Sequence, residues 1–233
     1  MATILNIETA TAVCSVALAR DGKILAWEEA NEGMAHSEKI AVFIRSVMER
    51  ASLPLAALDA IAIGSGPGSY TGLRIGTATA KGLCYSLNKP LISVPTLKAM
   101  AMAAAKKLNR ADALYCPLID ARRLEVYTAV YDSTGKEIIP VHAKILDETS
   151  FSEYKTIAFF GDGMPKFKTK LAESSPNGEI EGGHIWMDDM YASALNMCSI
   201  AEEMYTTKTF SDVAYYEPFY LKDFVAGKKK TEA

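Results

Sequence analysis

The sequence predicts an α/β protein built from two related lobes in tandem. A short apolar strand ending in an acidic residue, then a strand, a glycine turn and a third strand, occurs near the N-terminus and again about 112 residues later. After each copy, apolar runs typical of buried strands alternate with segments of helical spacing. We therefore predict an N-terminal lobe at residues 1–108 and a C-terminal lobe at residues 109–233 that ends in an aromatic tail.

The first copy opens with short apolar runs and continues into a helix. The predicted strands are residues 3–8, 14–18 and 23–27. Asp21-Gly22 is a favourable hairpin turn between the second and third strands. A helix over about 37–51 follows, because four apolar residues recur at helical spacing. These residues are Ile40, Phe43, Ile44 and Val47.

The rest of the first lobe alternates strands with helices. We predict a strand at 58–63, a helix at about 71–87, a strand at 91–94 and a third helix through Ala105. The predicted strands of the second lobe are residues 114–120, 124–131, 136–139 and 155–160. Residues 174–183 read as a loop that contains no element, and 190–205 as the last long helix. The aromatic tail, 215–224, is expected to pack on the body, and 226–233 to be a solvated end.

The composition limits the classes of function. About half of the residues are apolar and 23% are charged, which is typical of a folded soluble protein. The net charge of −3 disfavours a chain that holds RNA by itself, because phosphate neutralisation requires basic side chains. No pair of the four cysteines forms a Cys-x-x-Cys motif, so neither a zinc site nor a disulfide framework is expected. Without a signal peptide or an apolar run of roughly 20 residues, the predicted location is cytoplasmic, with no membrane contact.

A glycine-rich segment, residues 64–76, follows the 58–63 strand and leads into the next helix. Such a loop can present backbone N–H groups to a phosphate. It lacks the Gly-Lys-Ser/Thr ending of a P-loop, and Pro67 interrupts a dinucleotide fingerprint. The alternative is a tight strand-to-helix turn capped by Ser69 or Thr71.

The helix after this loop carries a stripe of small residues. Gly72, Gly76 and Ala80 are spaced at i, i+4 and i+8, so another helix or sheet can approach closely. The stripe can pack inside the lobe or form a subunit interface, and the pattern alone does not choose between them.

Two α/β lobes that face a cleft are the plan of the sugar kinase, Hsp70 and actin superfamily, whose lobes are RNase H-like. Each such lobe opens with an acidic residue and a glycine-containing phosphate turn. Here the turns read Glu8-Thr9-Ala10-Thr11 and Asp120-Ala121-Arg122-Arg123, without glycine. The three histidines, His36, His142 and His184, lack metal-ligand spacing. Arg122, Arg123 and Glu125 can bind a ligand or form a solvated face. We therefore predict no catalytic residue and no metal site.

Several motifs, in order, resemble the TsaB (YeaZ) family. The matching stretches are residues 7–11, 14–18, 36–38, 66–76, 119–127 and 218–222. The long glycine motif at 66–76 is the most specific of them. The resemblance covers the first 130 residues well and the middle of the second lobe poorly.

The resemblance implies two actin-like lobes and a non-catalytic role. It implies a heterodimer with TsaD, the subunit that transfers the threonylcarbamoyl group to the adenosine next to the anticodon of tRNA. It also implies the ATPase TsaE as a further partner, and contact with tRNA only through the complex. No cofactor is expected in the chain itself. The resemblance leaves open whether a nucleotide binds at the partner interface and whether the isolated chain forms a homodimer.

Within the family, the first two helices are implied as the pairing surface. The expected interface residues are Ile40, Phe43, Ile44, Val47, Gly72, Leu73, Arg74, Ile75, Gly76 and Ala80. The competing functions are a weak nucleotide-binding kinase or ATPase relative, a metalloprotease, and a homodimeric scaffold without a tRNA role. The first needs metal-dependent nucleotide binding by the free chain, and the second needs metal ligands that the sequence lacks.

Overall fold

The apolar runs pair into two mixed sheets in a computed structural model that describes residues 2–31, 36–174 and 184–222. The first lobe contains β1 (Thr3–Glu8), β2 (Cys14–Arg20), β3 (Lys23–Ala30), α1 (His36–Arg50), β4 (Ala60–Gly64), α2 (Tyr70–Leu87), β5 (Leu91–Val94) and α3 (Thr96–Leu108). The second lobe contains β6 (Leu114–Asp120), β7 (Glu125–Tyr131), β8 (Glu137–Ile145), β9 (Ile157–Phe160), α4 (Met164–Ser174), β10 (His184–Met187) and α5 (Cys198–Thr206).

The two sheets have the same topology. The strand order is β3-β2-β1-β4-β5 in the first and, in the same sense, β8-β7-β6-β9-β10 in the second. In each sheet the first three strands are antiparallel, and the last two run parallel to the central strand. The prediction of two duplicated α/β lobes is therefore confirmed.

Side-chain alternation on β1 divides the core of the first lobe into two layers. Leu5 and Ile7 pack in the cluster that also contains Ile40, Ile44 and Val47 of α1. Ile4 points to the other face and packs with residues of α5. Because side chains alternate between the two faces of a strand, one apolar strand covers both layers.

One helix from each lobe packs against the sheet of the other lobe. The apolar face of α3 packs in a cluster with Tyr115 and Ile119 of β6. Conversely, Ala201 of α5 packs with Ile4 and Ile92 of the first sheet. The boundary predicted at 108/109 lies between the two sheets along the chain, but each packing unit includes a helix from the other side of it.

The second lobe differs from the sequence prediction at four elements. The strand β8 runs six residues beyond its predicted end at 139. The helix α4 was not predicted, because lysines at alternate positions hide the helical spacing of its apolar side chains. The strand β10 was not predicted either; it is a short edge strand whose Trp186 stacks on Phe159. The helix predicted from 190 begins at Cys198, after a short 3-10 turn at Ala194–Asn196.

Two other predictions concern the ends of described segments. Of the loop predicted at 174–183, only Ser174 is described, and it is the last residue of α4. The solvated end predicted at 226–233 lies outside the described residues. No helix in the described ranges combines the length and apolarity needed to span a bilayer.

An aromatic cluster stabilises the second lobe. Phe159 is fully buried, and its ring contacts those of Phe151 and Phe167. We expect Phe159→Ala to lower the free energy of unfolding by about 3–5 kcal/mol in urea titrations, because it leaves a cavity. Phe210→Ala is the control, since Phe210 is 41% exposed, and its expected cost is below about 1 kcal/mol. Equal losses for the two variants would contradict this assignment of the core.

Candidate functional site

The acid at the end of β1 is enclosed by its own chain. Glu8 is 1% exposed. Its Oε1 accepts the backbone N–H groups of Thr9 and Ala10, both at 2.8 Å, and its Oε2 accepts the Thr96 hydroxyl at 2.9 Å. A Cβ on Gly64 would lie closer than 3.0 Å to the carboxylate, so the end of β4 must be glycine.

Burial is the main influence on the ionisation of Glu8. Desolvation raises the pKa of the carboxyl group, and the hydrogen bonds from Ala10, Thr96 and Thr9 oppose that rise. Both oxygens are occupied by donors of the same chain. The carboxylate is therefore a structural acceptor that joins the turn after β1 to the start of α3.

The turn after β1 is filled by the glycine-rich loop. The Ser69 N–H donates to Ala10 O at 2.7 Å, and the Thr9 hydroxyl donates to Gly72 O at 2.8 Å. A Cβ on Gly68 or Gly72 would lie closer than 3.0 Å to the carbonyl oxygens of Ala10 and Thr9, respectively. These glycines therefore permit the start of α2 to lie directly on the turn.

Ser69 is the N-cap of α2, with its hydroxyl accepting the Gly72 N–H at 3.3 Å. The Leu73 N–H donates to Ser69 O at 2.8 Å. The N–H groups of Ser69, Gly72 and Leu73 at this helix start are thus used inside the chain. The interpretation as a tight turn capped by Ser69 is confirmed.

His36 also supports this turn, at the start of α1. It is buried, and its Nε2 lies 2.8 Å from Thr11 O. Within the described residues, no group of three or more His, Cys, Asp or Glu side chains could hold a metal ion.

The small-residue stripe of α2 packs inside the lobe. A Cβ on Gly76 would lie closer than 3.0 Å to Thr9 Oγ1 and to Ile63 Cδ1. Thr9 and β4 therefore occupy the space that side chains at Gly72 and Gly76 would need. Seven of the ten expected interface residues are buried in the lobe, namely Ile40, Ile44, Val47, Gly72, Leu73, Gly76 and Ala80. The other three, Phe43, Arg74 and Ile75, are at least partly exposed.

The outward face of α2 carries a second row of mostly small residues, which we call the outer stripe. It consists of Thr71, Ile75, Ala78 and Gly82, spaced at i, i+4, i+7 and i+11. A Cβ built on Gly82 meets nothing within 4 Å. Sequence reasoning missed this row, although a glycine inside a helix without an internal packing role was the available signal.

The outer stripe lies beside exposed apolar surface on α1. Val42 is 49% exposed, and Phe43 is half-buried against the same core cluster as Ile75. A groove of ≈ 530 Å³ follows α1 and includes Met48, Leu53 and Leu55 in its lining. At about 100° per residue, the groove residues of α1 lie on the flank of the helix opposite Phe43, so the groove is separate from the outer stripe.

The second acid lies in a different environment. Asp120 is exposed and accepts the Arg122 N–H at 2.5 Å and Lys166 Nζ at 2.8 Å. Its own N–H donates to Asp162 Oδ1 at 3.0 Å, and burial raises the pKa of Asp162. Arg122 and Arg123 adopt φ values of 74° and 53° where a phosphate turn would carry glycine. This site is open to solvent but lacks a glycine turn.

The Glu8 network predicts a pH dependence of stability. The pKa of Glu8 is raised above its ordinary value of 4.5, so its contribution to stability is fully present below that pH and is lost as pH rises through the folded pKa. Glu8→Gln keeps an acceptor for the backbone N–H groups but cannot ionise. We expect its free energy of unfolding, relative to the unmodified chain, to increase as pH rises from about 5 to about 8 in urea titrations.

Glu8→Ala is the control for this experiment. It also removes the ionisable group, so its difference from the unmodified chain should change with pH in the same way as that of Glu8→Gln. Because it leaves buried donors unsatisfied, it should be about 1–3 kcal/mol less stable than Glu8→Gln at both pH values. A difference between Glu8→Gln and the unmodified chain that does not change with pH would contradict the burial of an ionisable carboxyl group.

Comparisons with known proteins agree with this geometry. A family model described as "TsaD: tRNA N6-adenosine threonylcarbamoyltransferase" matches residues 30–229. The tRNA threonylcarbamoyladenosine biosynthesis protein TsaB of Escherichia coli (strain K12) is 32% identical over 97% of both chains.

Solved structures show the same fold. YeaZ from Pseudomonas aeruginosa aligns with a TM-score of 0.78 and 23% identity, over 95% of this chain and 100% of the other. The activator of the 2-hydroxyisocaproyl-CoA dehydratase from Clostridium difficile with bound ADPNP aligns with a TM-score of 0.54 and 8% identity, over 89% and 97%. The chain therefore belongs to the family that the TsaD model describes and, within it, to the proteins named TsaB (YeaZ).

Proposed function

We propose that this chain is a non-catalytic partner subunit that binds and supports a TsaD-type catalytic subunit in forming threonylcarbamoyladenosine next to the anticodon of tRNA. Family membership supports the pathway, because the similar Escherichia coli protein is named for the biosynthesis of this nucleoside. The enclosure of Glu8 is the observation that carries the non-catalytic role.

An acid that positions a metal–nucleotide complex needs free oxygen lone pairs facing the ligand. Both Glu8 oxygens accept hydrogen bonds from the same chain. A phosphate at the adjoining turn would also have to displace the contact between Ser69 and Ala10. The first lobe therefore retains the fold of a nucleotide-binding relative with its ligand position filled.

The outer stripe of α2 is the proposed partner surface. A glycine inside a helix costs about 1 kcal/mol relative to alanine. Among the described residues, no neighbour of Gly82 requires it to be small. Small side chains let the axis of a second helix approach to about 8 Å. Ile75 within the stripe and Phe43 beside it supply apolar contact, and Arg74 lies at its rim.

The proposed assembly contains a further protein and tRNA. A TsaE-type ATPase joins the pair, and tRNA contacts this chain through the complex, consistent with its net charge of −3. The assembly works in the cytoplasm.

Two glycine substitutions on α2 distinguish a partner surface from a core position. We expect Gly82→Leu to stay folded, because its side chain enters open space, and to lose the one-to-one species with TsaD in light scattering on a sizing column. We expect Gly76→Leu to unfold the isolated chain, because Thr9 and Ile63 occupy the space that its side chain needs. Circular dichroism melts report the folded state of each variant.

Thr169→Leu is the matched control, since it adds an apolar side chain to an exposed position of α4 in the other lobe. It should leave the complex intact. An intact complex with Gly82→Leu would remove the outer stripe from the interface. If the unmodified chain and TsaD elute separately even with TsaE and ATP, the proposed function is wrong.

A further inference from the structure

The segment at 211–222, which we call the C-terminal strap, is held firmly on the first lobe. The Ser211 N–H donates to Leu91 O at 2.8 Å and so extends the edge of β5. Lys81 Nζ donates to the carbonyl oxygens of Ala214 and Tyr216, both at 3.1 Å. These contacts involve backbone groups of the strap, which fixes its path along α2.

Aromatic side chains strengthen this attachment. Tyr216 packs against the helix-side core of the first lobe, and Ser93 Oγ donates to its hydroxyl at 3.4 Å. Burial raises the pKa of Tyr216. Further along, the rings of Tyr220 and Tyr70 lie 5.0 Å apart.

The strap then passes the carboxyl end of β4 and reaches the other lobe. The Phe219 N–H donates to Ser65 O at 2.8 Å, one residue beyond β4. Lys222 Nζ binds both carboxylate oxygens of Glu125, at the start of β7. Within the parts of the chain that the structure describes, the hydrogen bonds and ion pairs of the strap reach the second lobe only through Lys222.

Glu125 is itself positioned by the charged groups at the end of β6. Lys166 Nζ donates to the carbonyl oxygen of Glu125 and to the carboxylate of Asp120. The side chains of Lys222 and Glu125 are 46% and 23% exposed. An ion pair of this exposure changes an equilibrium constant by about fivefold or less and weakens as salt rises.

We propose that the C-terminal strap is a latch between the lobes, fixed on the first lobe and releasable at the Lys222–Glu125 ion pair. The lobes also share α3 and α5, so the strap is an additional link, placed at the carboxyl ends of β4 and β6. Its release lets the lobes separate at that edge, where Glu8 and Asp120 end their strands. This proposal does not rest on the partner, and the isolated full chain tests it.

Pulsed dipolar spectroscopy on spin labels measures the separation of the lobes. Cysteines introduced at the exposed positions Ser86 on α2 and Thr169 on α4 carry the labels. The four native cysteines are buried, and burial raises the pKa of Cys14 to about 11 and those of Cys84, Cys116 and Cys198 to about 12. Their thiols should therefore stay unlabelled.

Charge reversal supplies the test. Lys222→Glu should at least double the population at longer label-to-label distances. The double variant Lys222→Glu/Glu125→Lys, which exchanges the two charges, should restore the original distance distribution. The matched control is Lys155→Glu, an exposed lysine of the second lobe outside the strap, which should change nothing. All substituted side chains are at least partly exposed, and circular dichroism melts confirm that each variant is folded.

Three outcomes would overturn the latch. One is a label-to-label distance distribution for Lys222→Glu that coincides with that of the labelled chain without this substitution. Another is an equal change with Lys155→Glu, which would indicate an effect of net charge. The third is failure of the charge exchange to restore the short distance, which would show that the ion pair does not hold the lobes.

Discussion

The buried Glu8 carboxylate is the interaction on which the rest of the first lobe depends. It accepts two backbone N–H groups of the turn after β1 and the Thr96 hydroxyl at the start of α3. Thr96 Oγ1 in turn accepts the Gly66 N–H at 3.1 Å. One carboxylate thus joins β1, the loop after β4 and the helix that crosses to the second lobe. Burying this charge is costly, and these hydrogen bonds offset part of that cost.

This closure determines which face of α2 is available to another molecule. Gly72 and Gly76 are used to bring the helix onto Thr9, so the inward face has no room for a partner. The outward face carries Ala78, which is exposed, and Gly82, where an added Cβ would meet no atom of the described residues within 4 Å. The turn after β1 is therefore a packing contact inside the chain, and the outward face of the adjacent helix stays exposed.

The sequence predicted much of the fold, because the repeated strands and acids carry a strong local pattern. It could not place the stripe of Gly72 and Gly76, since internal packing and a subunit interface both require small residues. The deciding neighbour, Thr9, is remote in sequence, and the motif at 7–11 that contains it does not indicate which helix packs against it. The strap was predicted to pack on the body from its aromatic residues, but its attachment uses backbone carbonyls, which leave no side-chain pattern.

The glycine-rich loop of the chain itself fills the turn after β1, beside the enclosed Glu8 carboxylate. Titration calorimetry of the free chain with ATP and Mg²⁺, in parallel with Glu8→Gln, tests whether this turn is closed to a ligand. We expect no saturable binding that depends on Glu8. One-to-one binding that weakens at least tenfold in Glu8→Gln would contradict it, because the carboxylate would then be available to a ligand.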